Sequence, residues 1–344
     1  MITANPTPTQ PAAEASPTRW QRLWRDAVRD PRELLALVGL PELAAQVSET
    51  AAAQFPLRVP RGFVARMRPG DPADPLLRQV LPLDDEDRIV PGFVLDAVGD
   101  REARGGTGIV HKYDGRALLV ATGSCAIHCR YCFRRHVPYG EETAAANQWR
   151  EALAYLAADP GLAEVLLSGG DPLSLATLKL AEFTDALAGL PHVRRVRLHT
   201  RLPVVLPERV DEALLAWLSA LPLQRVVVIH ANHANEIDAG VARALGELRR
   251  AGATLLNQAV LLRGVNDEVR AQAELSERLF EAGVLPYYLH QLDRVAGTAH
   301  FEVPDAEALA LHAALAARLP GYLVPRLVRE VAGAPAKLPL LANP

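Results

Sequence analysis

Cysteine is scarce in this sequence. Three occur in 344 residues, an odd number confined to one stretch, which argues against a disulfide framework and for a reducing compartment. Lysine is as rare: Lys112, Lys179 and Lys337 are the three lysines among 37 basic residues, leaving 34 arginines. No apolar run approaches the roughly 20 residues that span a bilayer, and the N-terminus lacks a signal-peptide core. A dominant charge is missing too, because a net charge of −3 gives no broad footprint for nucleic acid or an anionic membrane. These absences predict a cytoplasmic protein with neither as a partner. What is present suits a large core: 49% of residues are hydrophobic, and the length is within reach of an α/β barrel with added ends.

The three cysteines lie in Gly123–Pro138, GSCAIHCRYCFRRHVP, as Cys125, Cys129 and Cys132. Three thiolates on a short loop suit an iron–sulfur cluster, and a [4Fe–4S] cube would keep one iron open for want of a fourth cysteine. With Tyr131 just before the third cysteine, the stretch resembles the signature of the radical S-adenosylmethionine (SAM) enzymes, in which that iron is chelated by SAM. Two plainer readings fit the spacing as well. A zinc knuckle could add His128 or His136 as fourth ligand, and three structural thiols could share one helical face.

Residues 1–18 are rich in Pro, Thr and Ala and predict a disordered tail. From residue 19 to 104, short helical pieces interrupted by prolines predict a wrapping segment, with apolar spacing at Trp20, Leu23, Trp24, Ala27 and Val28. Beyond Gly105 six apolar or β-branched runs, at 117–124, 164–170, 195–200, 225–231, 254–262 and 286–292, alternate with helical stretches near 143–158, 173–189, 207–219, 236–251 and 268–282. That alternation predicts a partial (β/α)6, TIM-like barrel over 105–300, followed by a C-terminal helix and tail over 301–344. Polar residues cluster where strands end, so the motifs should meet at the C-terminal rim of the barrel.

The runs HKYDGRALL, CAIHCRYCFRRH, SGGDPL, RLPVVLPER, HANHANE, LLNQAVLLRGVND, YYLHQLD and REVAGAPAK together resemble the lysine 2,3-aminomutases, from about residue 19 to 340. Within them the chain is similar to the shorter bacterial branch that makes β-lysine for elongation factor P. The longer enzymes carry a C-terminal extension with cysteines for a structural zinc, which finds no counterpart here. The resemblance implies a [4Fe–4S] cluster on Cys125, Cys129 and Cys132, together with SAM and pyridoxal 5′-phosphate (PLP). It implies Lys337 as the Schiff-base lysine, in a Gly/Ala/Pro-rich stretch read as flexible. The rarity of lysine agrees with this, since a guanidinium cannot do the work of a primary amine.

By the same resemblance Tyr113 stacks on the PLP ring and Arg116 binds its phosphate. Lys112 stands where the longer enzymes have arginine and loses the bidentate fork. Ser168, Gly169, Gly170 and Asp171 are implied to hold the SAM amino group, and His230 and Gln258 to contact cofactors. Asp171 reads equally well as a helix cap after a tight turn. Arg134 is expected at the substrate α-carboxylate, with Asp293 and Glu330 at the distal ammonium; Glu330 is aspartate in the longer enzymes. The implied reaction turns L-α-lysine into β-lysine, the R isomer by the nearest branch, with a flavodoxin- or ferredoxin-like electron donor and a functional link to the elongation factor P ligase. Rival readings are an aminomutase for arginine or ornithine, a SAM radical enzyme without PLP, and a non-catalytic zinc-binding barrel.

Overall fold

The computed structural model describes residues 17–137, 143–146 and 149–341. Most of the predicted tail, residues 1–16, and Pro138 of the cysteine stretch lie outside them. Ten strands form one open sheet in sequence order: β1 (Arg104–Gly106), β2 (Ile109–Tyr113), β3 (Arg116–Thr122), β4 (Glu164–Gly169), β5 (Arg195–Thr200), β6 (Gln224–Ile229), β7 (Thr254–Val260), β8 (Leu285–His290), β9 (Arg326–Arg329) and β10 (Leu338–Pro339). All six runs read as strands are found, as β3 to β8, paired in parallel. The parallel set is larger than expected, because β9 continues it beside β8. RLVR is too short and too charged to stand out as a strand in sequence. Its pairing comes from the sheet edge that β8 offers. Likewise Asp114–Gly115 joins β2 to β3 as a two-residue hairpin with Gly115 at φ 74°, the conformation Asp-Gly turns favour.

Side-chain alternation explains how apolar runs can build a polar interior. Along β5 the pattern Val196, Leu198, Thr200 is buried, while Arg195, Arg197 and His199 on the other face line a central cavity. The same period of two puts Glu164, Leu166 and Ser168 of β4, and Leu256, Gln258 and Val260 of β7, on the cavity wall. Outside, helices cover the sheet with amphipathic faces. Ala239–Arg250 buries Val241, Ala244, Leu245 and Leu248 at helical spacing, and Asp238 caps it by accepting from Val241 N at 2.8 Å. Several helices start later than the sequence pattern suggests: Arg150–Ala158 for the stretch read from 143, Thr177–Ala188 after a short 3₁₀ turn at Pro172–Ser174, and Glu212–Ala220 after another at Pro207–Arg209.

The segment before the barrel is helical in short pieces, among them Arg19–Arg25, Pro31–Leu37, Arg61–Val64 and Pro75–Arg78. Its apolar residues Trp20, Leu34, Leu35, Phe63 and Leu76 join the same core as the barrel strands. After the last barrel helix, Asp305–Arg318, the chain returns to the sheet. Leu338 and Pro339 pair opposite Arg329 and Val328. The stretch read as flexible is therefore a hairpin connection tied down at both ends.

Candidate active site

The cavity runs through the barrel from the cysteine loop, which follows β3, to the β9–β10 connection. It has a volume of about 710 Å³, and Cys125, Cys129, Cys132 and Lys337 all line it. Lys112, Tyr113, Arg116, Tyr131, Arg134, Ser168, Gly169, Gly170, Asp171, His230, Gln258, Asp293 and Glu330 line it too. Every site residue read from the sequence is thus brought to one wall or another of a single chamber.

The cysteine loop is irregular, not helical, so the three-thiol helical face is ruled out. None of the three cysteines is in a disulfide. Burial pushes the Cys125 thiol well up and the Cys132 thiol up to about 11, with the neighbouring cysteines adding to both; metal coordination is what converts such thiols to thiolates. The two histidines of the zinc reading are engaged elsewhere. His128 Nδ1 lies 2.6 Å from Pro56 O with its ring stacked on Phe55, and His136 Nε2 lies 2.9 Å from Ala296 O. Among the described residues no three His, Cys, Asp or Glu side chains converge as donors to one metal ion, whereas a cube spreads its thiolates over different irons.

At the end of β4, the glycines are there for the protein itself. A side chain on Gly170 would meet Ser124 O at 2.5 Å, and Gly169, at φ 111°, would place one 2.8 Å from Thr122 O. Asp171 is saturated. It accepts from Thr200 Oγ1 at 2.7 Å, Arg201 N at 2.7 Å, Leu202 N at 3.0 Å and Leu173 N at 3.0 Å. Burial pushes its pKa up and these donors oppose the push. The capping role weighed in the sequence is the one its geometry displays.

On the opposite wall the charges are interlocked. Glu330 accepts from Tyr113 Oη at 2.9 Å, from Lys112 Nζ at 3.3 Å and from Lys337 Nζ. Lys112 Nζ also reaches Val98 O at 2.7 Å and Asp100 at 2.7 Å, so its donors go to protein acceptors. Arg134 Nε donates to Asp100 at 2.8 Å and Nη1 to Ser168 Oγ at 3.1 Å. Burial pushes Asp100 up, yet Arg134 and Lys112 outweigh it and bring it down to about 2. Burial likewise raises Glu330, but Lys337 and Lys112 hold it below the ordinary range. At Asp293 the balance goes the other way: burial, then the Glu330 charge, push it up to about 7 against the opposing pull of Lys337 and Lys112. Arg116 stacks its guanidinium over Tyr113, 4.5 Å from the ring centroid.

Sequence reasoning missed Asp100, Arg201, His199 and His290. Asp100 sits in an irregular stretch before β1 with no pattern to mark it. The other three end or follow barrel strands, where polar residues in apolar runs are the available signal. His199, His230 and His290 keep buried Nε2 atoms without a hydrogen-bond partner among the described residues. Burial keeps these imidazoles neutral, lowering His230 to about 4.

A parallel barrel with three thiols on the loop after its first parallel strand is the architecture of a radical SAM enzyme, and the Radical SAM superfamily profile matches residues 119–274. An L-lysine 2,3-aminomutase of Escherichia coli K12 is 48% identical over 93% of this chain and 94% of that protein, and one of Haemophilus influenzae is 44% identical over 92% and 94%. A longer one from Clostridium subterminale is 31% identical over 94% of this chain and 78% of its own length. The chain belongs to the lysine 2,3-aminomutase family of radical SAM isomerases.

That family implies a [4Fe–4S] cluster, SAM and PLP, and the chamber suits all three. Thiols outside any disulfide rim one end, neutral imidazoles whose Nε2 atoms have no hydrogen-bond partner among the described residues line the interior, and a primary amine, a tyrosine ring and an arginine lie at the other end.

Proposed function

We propose that this protein converts L-α-lysine to β-lysine, the R isomer, for modification of elongation factor P, in the cytoplasm, with a flavodoxin- or ferredoxin-like protein as electron donor. The observation that carries the reading is the shared chamber: the three thiols and the Lys337 amine face one space of about 710 Å³. Cys125, Cys129 and Cys132 would hold the cluster, and Lys337 would anchor PLP beside Tyr113 and Arg116. When bound, the cluster and SAM would supply a carbon-centred radical, and PLP would hold the amino nitrogen in a carbon–nitrogen double bond through which it can pass from the α- to the β-carbon.

The chain's own part is positioning and exclusion of water. Arg134 is placed to take the substrate α-carboxylate in a charge-assisted contact, once it shares its guanidinium with a ligand besides Asp100. Asp293 and Glu330 form an acidic pair for a distal ammonium. That pair favours a basic amino acid, because an added cation offsets the burial and the Glu330 charge that together raise Asp293. Ser168 and the Gly169–Asp171 turn line the chamber and would meet the SAM amino group, and His230 and Gln258 line it and would contact the cofactors. No described helix is long and apolar enough to cross a membrane.

Anaerobic turnover of L-lysine with chiral analysis of the product tests the reading, and competition by arginine and ornithine tests its specificity. About four irons per chain are expected on anaerobic purification; one zinc and no iron would refute it. Lys337→Ala should abolish the absorbance of protein-bound PLP, and a variant that kept it would show the anchor to lie elsewhere.

A further inference from the structure

Arg201 donates a guanidinium N–H to a cysteine sulfur of the rim, whereas Arg58 reaches only the Cys125 carbonyl, and nothing in the reaction as derived above uses Arg201. Its Nη1 lies 2.6 Å from Cys129 Sγ, while Nη2 donates to Gln79 Oε1 at 2.7 Å and Glu236 Oε2 at 2.8 Å. Glu236 is in turn fixed by Asn232 N at 2.8 Å, His233 N at 3.1 Å and Gln79 Nε2 at 3.2 Å. The guanidinium also lies over two aromatic rings, 5.7 Å from the Tyr131 centroid and 5.6 Å from that of Phe63. Its main-chain N–H is held by Asp171. The side chain is therefore locked by two rings, an amide and a carboxylate, with one arm left for the sulfur.

Such an arrangement costs the fold. Arg201 and Glu236 are both buried, Glu236 completely, and a buried ion pair seldom repays its desolvation by attraction alone. A return elsewhere is expected, and the sulfur supplies the reason. A cube with a doubly positive core and three thiolates bears a net negative charge, and one electron from a low-potential donor adds another. A fixed cation with an N–H on one thiolate favours the more negative state, and hydrogen bonds to sulfur are among the terms that set cluster potentials.

We propose that Arg201, held by Glu236, Gln79 and Asp171, is a positioning residue that raises the reduction potential of the cluster through Cys129 and so makes its one-electron reduction easier. The inference rests on Cys125, Cys129 and Cys132 being the cluster ligands. It also accounts for the position of Asp171, since the acid of the SGGD motif sets the backbone from which Arg201 reaches the sulfur.

The test is a redox titration of the anaerobically reconstituted holoprotein, followed by the electron paramagnetic resonance signal of the reduced cluster. Arg201→Gln should lower the ratio of reduced to oxidised cluster at a fixed poise at least tenfold, a shift of about 59 mV for one electron. Arg201→Lys, which keeps the charge without the fork, should fall between it and the unsubstituted protein. Arg209→Gln serves as control. Arg209 is likewise a buried arginine, and it donates to Leu173 O and Leu175 O instead of to a sulfur, so its loss should leave the potential in place. Equal potentials in all four proteins would overturn the proposal. So would loss of iron in both Arg201 variants, which would assign the residue to stability alone. An unsubstituted protein that binds no iron would instead overturn the cluster reading beneath it.

Discussion

Asp293 is the residue whose chemistry the fold changes most. With its carboxyl up to about 7, it is part neutral at physiological pH, and the groups facing it are Glu330, Lys337, Lys112 and Asp100. An arriving ammonium favours its charged form. Lysine should therefore bind more tightly as pH rises through about 7, losing up to tenfold for each unit below it. Anaerobic binding titrations between about pH 6 and about 8 would show this, and Asp293→Asn should flatten the profile while weakening binding throughout. Stability runs the other way. A carboxyl raised on folding favours the fold at low pH and penalises it increasingly as pH climbs toward 7. Asp293→Asn should accordingly stabilise the ligand-free protein at about pH 8 by on the order of 2 kcal/mol, measured by denaturant unfolding.

At the scale of elements, the contact between the end of β4 and the cysteine loop decides where the thiols stand. Gly170 N donates to Thr122 O at 2.7 Å and Asp171 N to Ser124 O at 2.8 Å, so the loop is laid directly on the β4 turn. Gly170→Ala would force Ser124 aside. It should cost about 1–3 kcal/mol and reduce iron per chain, read by unfolding and metal analysis; full stability with full iron would show that the loop yields more easily than the 2.5 Å approach implies. The β9–β10 pairing has the corresponding role at the other end, because it fixes both Glu330 and Lys337 at the ends of one hairpin connection. A lysine on a loose tail would spend its amine's reach as entropy; here the backbone on either side is already placed.

Across the whole molecule, the N-terminal pieces and the cysteine loop share a buried charge cluster. Glu86 accepts from Arg130 Nη2 at 2.6 Å and Arg135 Nη2 at 2.5 Å, and Arg130 also reaches Phe55 O at 2.5 Å and Ala51 O at 3.2 Å. Both arginines belong to the cysteine stretch, and their partners belong to the wrapping segment. Glu86→Ala would strand two buried guanidinium groups and should destabilise the protein by about 3–5 kcal/mol. Equilibrium unfolding measures that cost, and cluster content should fall with it.

The sequence alone determined the six parallel strands β3 to β8, because apolar runs bounded by turn residues report a sheet buried on both faces. It also marked the candidate thiols, the rare lysine and the acidic pair, since these are recognised by residue type, spacing and resemblance. It did not disclose β9 and β10, whose few residues become strands only beside an edge formed by the rest of the chain. Nor did it disclose that Asp171 is spent on Arg201, that Lys112 is occupied by Asp100 and Glu330, or that Asp293 is pushed to about 7. Those depend on which groups far apart in the chain are buried together, and desolvation and charge pairing act through distance in space, which only the tertiary structure sets.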